Sequence, residues 1–419
     1  MPNSKRVLIA LAACWCQACC KPPVPEDSCG EWQLVTTPEE AAGLIISGIG
    51  TDASGAVWLA GMESVTNESD MWSQGSILRG NGTQWFKVET PDLGTDWALN
   101  DLAVGEEGVW FSGTHFGGFT GAIDIDIEEE KWSQVESVDL SDLGELEDKI
   151  NLEAHYQGPS REELLARSSE MKQGAAASAA VAMFAAGSAA PVVAANAIYE
   201  PLLRVAGFGA DSAWFATEST ILRYDGGTWA THTPPGIGMI RDIAFVSEEE
   251  GWAAGLGTTG KATVNQGAMA HLAEGVWSEA VLPTFTEPWE LMGLSFLSST
   301  QGWACGVTKN PDTAMHSGII LQYGGEWLAA DVPSVSSDWY LEDICFSDPD
   351  RGWAIGRDNE HRQGVLLCYL NGIWEHVSLS EIASTDWSLS AMDCAGAERG
   401  WLTGYDNEHG RVLLFRYAP

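Results

Sequence analysis

The chain has 419 residues and carries 59 acidic side chains against 21 basic ones, which gives a net charge of −38. A surface this acidic repels nucleic acid and anionic lipid headgroups, so neither is expected as a partner, and it favours cations or a basic protein. The 20 tryptophans are the second unusual feature, because most of them recur at a regular spacing.

The N-terminal segment has the pattern of a secretory leader. Lys5 and Arg6 precede a short apolar run at 7–13, which is too short to span a membrane. The tetrad Leu-Ala-Ala-Cys at 11–14 resembles the lipobox of bacterial lipoproteins, and this resemblance implies cleavage before Cys14 and lipid on its thiol. We therefore expect a signal peptide at 1–13 and a tether at 14–30. The protein would be exported and lipid-anchored to the bacterial cell envelope, at the outer membrane or the periplasmic side.

The other eight cysteines leave the disulfide pattern open. One group comprises Cys16, Cys19, Cys20 and Cys29, and the other comprises Cys305, Cys345, Cys368 and Cys394. An exported protein can form disulfides, but eight cysteines allow 105 pairings and the sequence selects none of them. A metal cluster at 16, 19 and 20 is an alternative for the first group, and burial as small apolar residues is an alternative for the second.

A tryptophan repeat with a period of roughly 50 residues runs from residue 31 to the end of the chain. The motif Gly-Trp-Ala-x-Gly, or a looser copy of it, contains Trp58, Trp110, Trp214, Trp252, Trp303, Trp353 and Trp401. A second series alternates with the first and comprises Trp32, Trp85, Trp132, Trp229, Trp277, Trp327 and Trp374. Each period has room for four short strands, and four antiparallel strands repeated radially are typical of a propeller blade.

The two ends of the repeat predict how the ring closes. The last repeat ends after a third strand at 412–417, and the segment 31–35 looks like a fourth strand with no earlier strands before it. The sequence therefore predicts an all-β fold, a seven-bladed β-propeller of four-stranded antiparallel blades at 31–419, whose N-terminal strand completes the last blade. The strand tryptophans are expected to fill the core between blades.

One period, between Trp110 and Trp214, is about twice the usual length. We expect the extra residues, at about 141–200, to form a helical, alanine-rich insertion between blades 2 and 3. A capping-box pattern at 160–163 favours a helix, and an uncharged alanine-rich run follows at 174–197. A membrane-spanning segment is the alternative for that run.

A candidate ligand site lies on one face of the ring, where fourth strands connect to first strands and second strands to third strands. The predicted ligand-binding residues in these loops are Asp96, Trp97, Trp289, Asp338, Trp339, Asp386 and Trp387. Aromatic rings beside carboxylates suit a sugar, a peptide or a cationic side chain. The alternative is that these rings cap the inner strands and plug the mouth of the channel.

A duplicated tetrapeptide, Asp-Asn-Glu-His, occurs on the same face at 358–361 and 406–409. The candidate metal ligands are Asp358, Glu360, His361, Asp406, Glu408 and His409. Carboxylate and imidazole groups from adjacent blades suit a divalent cation such as Ca²⁺, the one cofactor that the sequence suggests. The alternative is that hairpin loops favour Asp and Asn for the geometry of the turn.

The repeat resembles a known family of bacterial propellers. Asp-Ile-Ala-Phe at 242–245 with Gly-Trp-Ala-Ala-Gly at 251–255, and the equivalent segments at 343–346 and 352–356, resemble the repeats of photosystem II assembly-factor-like proteins, which are related to the bacterial neuraminidase repeats (BNR). The resemblance covers the first two strands of at least the last four blades. It implies a propeller, in a family that includes an assembly factor and many surface proteins. The family's Asp-box is matched by 225–229 with one residue fewer.

No nucleophile elbow, zinc-protease motif or phosphate loop occurs in the sequence. We therefore expect a monomeric, non-catalytic binding or scaffolding module at the cell envelope, which recognises an envelope protein or a glycan through the loop face described above and meets the membrane only through its lipid. The alternative is a glycan-binding or glycoside-cleaving surface protein that uses the tryptophans and carboxylates of the mouth.

Overall fold

The computed structural model describes residues 29–66, 71–88, 90, 96–105, 108–115, 123–126, 131–134, 178–182, 202–209, 211–226, 228–258, 266–379, 382–394 and 399–418. The predicted signal peptide, lipid-bearing Cys14, most of the tether and the capping-box segment lie outside these residues. Within them the fold is all β apart from one short 3₁₀ helix. This described part contains no helix with the length and apolar character needed to cross a membrane.

The strands are grouped into blades along the chain. β1 is Glu31–Val35, and the 3₁₀ helix is Glu39–Ala41. Blade 1 contains β2 (Leu44–Thr51), β3 (Val57–Thr66), β4 (Met71–Gly80) and β5 (Trp85–Val88). Blade 2 begins with β6 (Trp97–Val104) and β7 (Val109–His115), after which β8 (Ile123–Asp126) and β9 (Lys131–Gln134) form a separate hairpin. Its third strand is β10 (Ser178–Ala182).

The remaining blades follow the same order. Blade 3 contains β11 (Arg204–Gly207), β12 (Ser212–Ala216), β13 (Ile221–Asp225) and β14 (Thr228–His232). Blade 4 contains β15 (Ile237–Ser247), β16 (Glu250–Gly257), β17 (Gly267–Ala273) and β18 (Val276–Glu279). Blade 5 contains β19 (Trp289–Ser298), β20 (Gln301–Lys309), β21 (His316–Tyr323) and β22 (Trp327–Ala329). Blade 6 contains β23 (Trp339–Asp348), β24 (Arg351–Asp358), β25 (Gln363–Leu370) and β26 (Ile373–His376). Blade 7 contains β27 (Trp387–Asp393), β28 (Trp401–Asp406) and β29 (Arg411–Ala418), and β1 is its fourth strand.

The blades form a ring around a central channel. The first strand of each blade is innermost, and β2, β6, β11, β15, β19, β23 and β27 contact one another in that order, with β27 contacting β2. Six blades have four antiparallel strands, and blade 2 has three in the described residues. The prediction of a β-propeller with four-stranded antiparallel blades is therefore confirmed for these six.

The N-terminal strand closes the ring as the sequence predicted. β1 pairs antiparallel with β29, from Glu31 opposite Ala418 to Val35 opposite Leu414. Trp32 lies 5.4 Å from the ring of Tyr417 and 5.7 Å from that of Trp353 in blade 6, measured between ring centroids. The closing strand therefore contacts both its own blade and the preceding one.

The predicted helical insertion after blade 2 is replaced, where the structure describes it, by a strand. Residues Ser178–Ala182 of the alanine-rich run pair antiparallel with β7, from Ser178 opposite His115 to Ala182 opposite Phe111. The segment at 131–134, which contains Trp132 of the second tryptophan series and was expected to form the fourth strand of this blade, pairs with β8 and with no other strand among the described residues. In the described residues, the alanine-rich run is therefore part of the blade 2 sheet, since a short run of small side chains can take the position of a third strand.

Two disulfides join blades 6 and 7. Cys29, just before β1, pairs with Cys368 of β25, and Cys345 of β23 pairs with Cys394, which follows β27. Cys305 is a buried free thiol. Spacing could not select these pairings, because they depend on which blades become neighbours when the ring closes.

Candidate binding channel

The repeat motif is used for packing between blades. Trp303 of blade 5 stacks on Phe346 of blade 6, with ring centroids 3.5 Å apart and planes inclined by 5°. Trp252 stacks on Phe296 in the same manner at 3.7 Å. A Cβ added to Gly352 would come within 2.6 Å of the Phe346 ring, so the glycine before the tryptophan makes room for the phenylalanine of its own blade. The prediction that the strand tryptophans are core residues is confirmed.

The second glycine of the motif lies beside a bulge in the innermost strand and leaves room for it. Each bulge places two residues of the first strand opposite one of the second, as between Leu341 and Asp343. The carbonyl oxygen of Tyr340 then points at Gly356, where a side chain would collide with it. Glycine is therefore required at this position by the close approach of another backbone.

The four tryptophans predicted at the mouth are buried in the seams between blades. Trp97, Trp289, Trp339 and Trp387 are 1–5% exposed. Each ring packs on a glycine in the third strand of the preceding blade, as the ring of Trp339 does on Gly318. Each ring is thus enclosed by its seam, and ligand contact by these four tryptophans stays a prediction. A glycine 21 to 23 residues before each tryptophan is the sequence signal for this packing.

Asp386 is the member of the predicted mouth set that lines the channel. Its carboxylate accepts hydrogen bonds from Arg357 Nη2 at 3.3 Å, from Asn407 Nδ2 at 3.1 Å and from Arg362. Two guanidinium groups at one carboxylate leave this part of the mouth with positive as well as negative charge.

The other two predicted acids are held in their loops. Asp338 accepts a hydrogen bond from the His316 backbone N–H at 2.9 Å and lies 2.8 Å from His316 Nδ1. Burial opposes ionisation of Asp338, but these hydrogen bonds outweigh it and lower its pKa. Asp96 has a positive φ of 63° and accepts a hydrogen bond from Ser73 N–H at 3.3 Å. Ligand binding by Asp96, Asp338 and Asp386 stays a prediction.

The duplicated tetrapeptides brace neighbouring loops. In the first copy, Asp358 lies 2.8 Å from His361 Nδ1 and accepts a hydrogen bond from Ser336 Oγ at 2.8 Å. Glu360 accepts hydrogen bonds from Ser337 N–H at 2.8 Å and from Ser337 Oγ at 2.7 Å, across to the loop that leads into blade 6. The second copy repeats this arrangement with Asp406, Glu408, His409, Ser384 and Thr385.

In the described residues, the six candidate ligands are not gathered into a metal site. Among the described residues, no three His, Cys, Asp or Glu side chains come together to hold a metal ion. Asp406 shows why: burial opposes its ionisation, but hydrogen bonds from Ser384, Arg411 and His409 lower its pKa to about 2. The six residues Asp358, Glu360, His361, Asp406, Glu408 and His409 are thus committed to their loops. A bound calcium ion stays a prediction.

In six of the innermost strands, the residue that follows the bulge lies at the channel wall. We call these residues, together with Arg204 of β11, the channel ring: Gly48, Asp101, Arg204, Asp242, Gly293, Asp343 and Ala391. β11 pairs with β12 without a bulge, but Arg204 takes the equivalent place, because Asp101 Oδ2 accepts a hydrogen bond from Val205 N–H at 3.1 Å, as Asp242 Oδ2 does from Leu294 N–H at 2.7 Å in a later blade. Asp101 and Asp242 therefore tie neighbouring blades together as well as lining the channel.

The charges of the channel ring are unevenly distributed. Arg204 stands between Asp101 and Asp242 and forms an ion pair with Asp242 at 3.3 Å. Asp343 stands between Gly293 and Ala391, so neither neighbour in the ring brings it a charge. The two sides of the channel wall therefore differ, one bearing a paired guanidinium and the other a carboxylate with small neighbours.

Burial raises the pKa of acidic groups on the channel wall. It raises the pKa of Asp101 to about 7, against the attraction of Arg204. Burial and the nearby charge of Asp242 raise the pKa of Asp343 to about 7 as well. Burial also raises the pKa of Glu342, which lies between Leu341 and Asp343 and lines the channel. A cation that entered the channel would favour the charged form of each carboxyl group.

The channel is large enough for a ligand. Its cavity has a volume of about 1100 Å³ and is lined by the carboxylates of Asp101, Asp242, Glu342, Asp343 and Asp386 and by the guanidinium groups of Arg204, Arg357 and Arg362. Five acidic groups against three basic ones give the wall a negative balance. The sequence contains one signal for this wall, which is the aspartate that precedes Ile-x-Phe in the repeat. The direction of that aspartate side chain depends on a bulge, which the spacing does not reveal.

No protein-family model matches the chain, and no curated protein matches it in sequence. Solved structures match it in fold. YCF48 bound to a D1 peptide has a TM-score of 0.53 and 14% identity, covering 93% of this chain and 95% of that chain. YCF48 from Cyanidioschyzon merolae has a TM-score of 0.52 and 13% identity, covering 93% and 98%. The extracellular domain of the one-component system BT4673 from B. thetaiotaomicron has a TM-score of 0.52 and 10% identity, covering 92% of this chain and 40% of that chain. At these identities the likeness concerns the fold, and the chain is a β-propeller similar in architecture to YCF48.

Proposed function

We propose that the chain is a non-catalytic, seven-bladed binding propeller that recognises a protein through the channel mouth. One observation carries this proposal: the cavity of about 1100 Å³ whose wall bears charged groups from four of the innermost strands, from β24 and from the neighbouring loops. A cavity of this size suits a side chain or a short extended segment of a partner. The structure of YCF48 with a D1 peptide gives a precedent for peptide binding by a propeller of similar fold.

The chemistry of the wall points to a cationic segment. Arg204 forms an ion pair with Asp242. In the described residues no ion pair is formed by Asp343 or Glu342, although the charges of Arg204 and Arg357 act on them and lower their pKa against the effect of burial. A lysine or arginine side chain of a partner fits this side of the channel. The net charge of −38 also speeds the approach of a basic partner.

The proposed setting is the bacterial cell envelope, with the lipid on Cys14 as the anchor. Two disulfides in the described part support an oxidising compartment, since such bonds are rare in the cytosol. A closed ring on a short tether is suited to scaffolding, because it presents one face to partners without inserting into the bilayer.

A glycan ligand remains the second candidate for the same face. The burial of Trp97, Trp289, Trp339 and Trp387 removes the stacking platform on which a sugar or a glycoside-cleaving site would depend. Turnover of a glycoside by the purified protein would overturn the non-catalytic proposal, and we expect none.

Affinity capture tests the proposal. The mature chain and the variant Glu342→Gln/Asp343→Asn are incubated with extract of the source cell envelope, and the retained molecules are identified. The matched control is Glu326→Gln/Glu375→Gln, which removes two carboxylates at exposed residues, one in the turn before β22 and one in β26. We expect the mature chain and the control to retain a discrete protein that moderate salt releases, and the channel variant to lose it.

Other outcomes contradict the proposal. A protein retained equally by all three forms would place binding away from the channel. A retained polysaccharide that resists protease and is lost from the channel variant would favour the glycan candidate.

A further inference from the structure

Both disulfides link the same two blades at the same end of the channel. Cys394 follows the last residue of β27, whose first residue lies at the mouth, so the Cys345–Cys394 bond is at the opposite end. Cys29 precedes β1, whose first residue pairs with the last described residue of β29, so the Cys29–Cys368 bond is at that opposite end too. The two bonds therefore join blades 6 and 7 at the face remote from the candidate site.

The two bonds differ in what they hold. Cys345–Cys394 joins two innermost strands that the ring already packs together. Cys29–Cys368 fixes the start of β1, a strand of five residues that pairs with one neighbour, β29, at the outer edge of blade 7. A short strand with one neighbour is held weakly by its own hydrogen bonds, so the covalent bond matters most here.

Trp32 shows what depends on β1 staying in place. Its side chain is 5% exposed and packs against Trp353 of blade 6 and Tyr417 of blade 7. If β1 left the sheet, Trp32 would leave this seam and the edge of β29 would lose its partner. The position of β1 therefore couples the closure of the ring to the packing between its last two blades.

We propose that the Cys29–Cys368 bond is a redox-sensitive latch on the closing strand. In the oxidised protein the bond holds β1 on β29; in the reduced protein β1 detaches and exposes the β29 edge and the seam around Trp353. This inference concerns ring closure and is independent of the proposed ligand.

The reducing step requires an external dithiol. One thiolate of the dithiol attacks the sulfur of Cys29, which is partly exposed, and the buried Cys368 leaves as a thiolate that takes up a proton. The second thiolate of the dithiol then attacks the mixed disulfide and releases Cys29 as a thiol. The protein gains two electrons and two protons, and the dithiol becomes a disulfide.

Hydrogen–deuterium exchange with mass spectrometry tests the latch on the whole mature chain, reduced after it has folded. Peptide mapping under non-reducing conditions first identifies the Cys29–Cys368 linkage, and its absence would overturn the proposal. With dithiothreitol, we expect amide exchange in β1 and β29 to speed up by about tenfold or more, while blades 4 and 5 keep their protection.

Two variants separate the bonds. Cys29→Ala is expected to show fast exchange in β1 without reductant, and Cys345→Ala/Cys394→Ala is expected to keep β1 protected until reductant is added. Unchanged exchange in β1 after reduction would show that the aromatic contacts alone hold the strand, which overturns the latch. Faster exchange around the whole ring would also overturn it, since that would be general destabilisation.

Discussion

The seams between blades and the wall of the channel are built from the same strands but obey different rules. In the seams, the same residues recur: in blades 3, 4 and 5 the motif tryptophan stacks on the phenylalanine of the next blade, and glycines make room for these rings. On the wall, the residue changes at nearly every step around the channel ring, from glycine to aspartate to arginine. Repetition marks the contacts that every blade must make, and variation at a fixed inward position marks the surface that is free to acquire a function.

The comparison is tested most sharply at a repeated glycine that lies beside the bulge within one blade. Gly356→Ala would drive a methyl group into the carbonyl oxygen of Tyr340, a backbone atom fixed by the bulge. We expect a loss of about 3 kcal/mol or more in the free energy of unfolding, because the innermost strand must shift. Urea denaturation followed by tryptophan fluorescence measures it.

The matched control is Gly324→Ala, since a Cβ at Gly324 meets nothing within 4 Å. It should change the free energy of unfolding by no more than about 0.5 kcal/mol. Similar losses for the two variants would mean that the close approach at Gly356 is not what fixes the glycine there.

Substitution of a residue of the channel wall should stabilise the protein, whereas Gly356→Ala destabilises it. The pKa of Asp343 is raised to about 7, so the folded protein keeps this proton in a range where the unfolded chain has lost it. Stability should therefore fall as the pH rises from about 4 to about 7, and the full penalty is present above that range. Asp343→Asn removes the titration and should stabilise the protein at pH 8 by up to about 4 kcal/mol, with little effect at pH 4.

Urea denaturation at pH 4, 6 and 8 gives the difference between wild type and Asp343→Asn at each pH. Asp312→Asn, at an exposed position, is the control and should show no comparable pH dependence. A variant that is less stable than wild type at pH 8 would show that the carboxylate of Asp343 is needed by the fold rather than tolerated for the channel.

The duplicated loops should give the smallest effect. Glu408 accepts hydrogen bonds from the N–H and hydroxyl of Thr385 and from Ser384 at 2.9–3.2 Å, and these lower its pKa. Its contribution is therefore present at neutral pH and is lost as the pH falls below the ordinary range of a glutamate. Glu408→Gln should lower the melting temperature slightly at pH 7, and the difference should vanish in acid.

Addition of calcium tests the metal site that the sequence predicts in the same loops. If the loop carboxylates keep their protein partners, added calcium should leave the melting temperature of wild type and Glu408→Gln unchanged. If the loops bind calcium as the sequence predicts, the melting temperature of wild type should rise, and the rise should disappear in His361→Ala/His409→Ala.

Most of the fold could be predicted from the sequence because the blades repeat at a regular spacing. Spacing alone located the innermost strands, the core tryptophans and the closure of blade 7 by residues 31–35, and the structure confirms these. It did not reveal how the four tryptophans predicted at the mouth pack, since an aromatic residue beside a loop acid gives no sign of the glycine that receives its ring. It also missed the channel ring, because a one-residue bulge reverses which side chains face inward.

The third strand of blade 2 could not be predicted from the sequence. Its third strand comes from Ser178–Ala182, which carries none of the alternating pattern that identifies strands elsewhere. Small side chains are compatible with a strand, a helix or an irregular segment, so only the available edge of β7 decides between them. The disulfide pairing was undecided for a similar reason, since it follows from the order of blades in space.

The pairing of β1 with β29 has a consequence for how the protein is made. β1 cannot take its place in the sheet when it leaves the ribosome, because its partner β29 is synthesised about 380 residues later. At roughly 5–20 residues per second, Trp32 and its neighbours would wait on the order of 20 to 80 seconds without the surface that buries them. The segment around Trp32 thus needs protection until β29 has been made, and the ring cannot close before then.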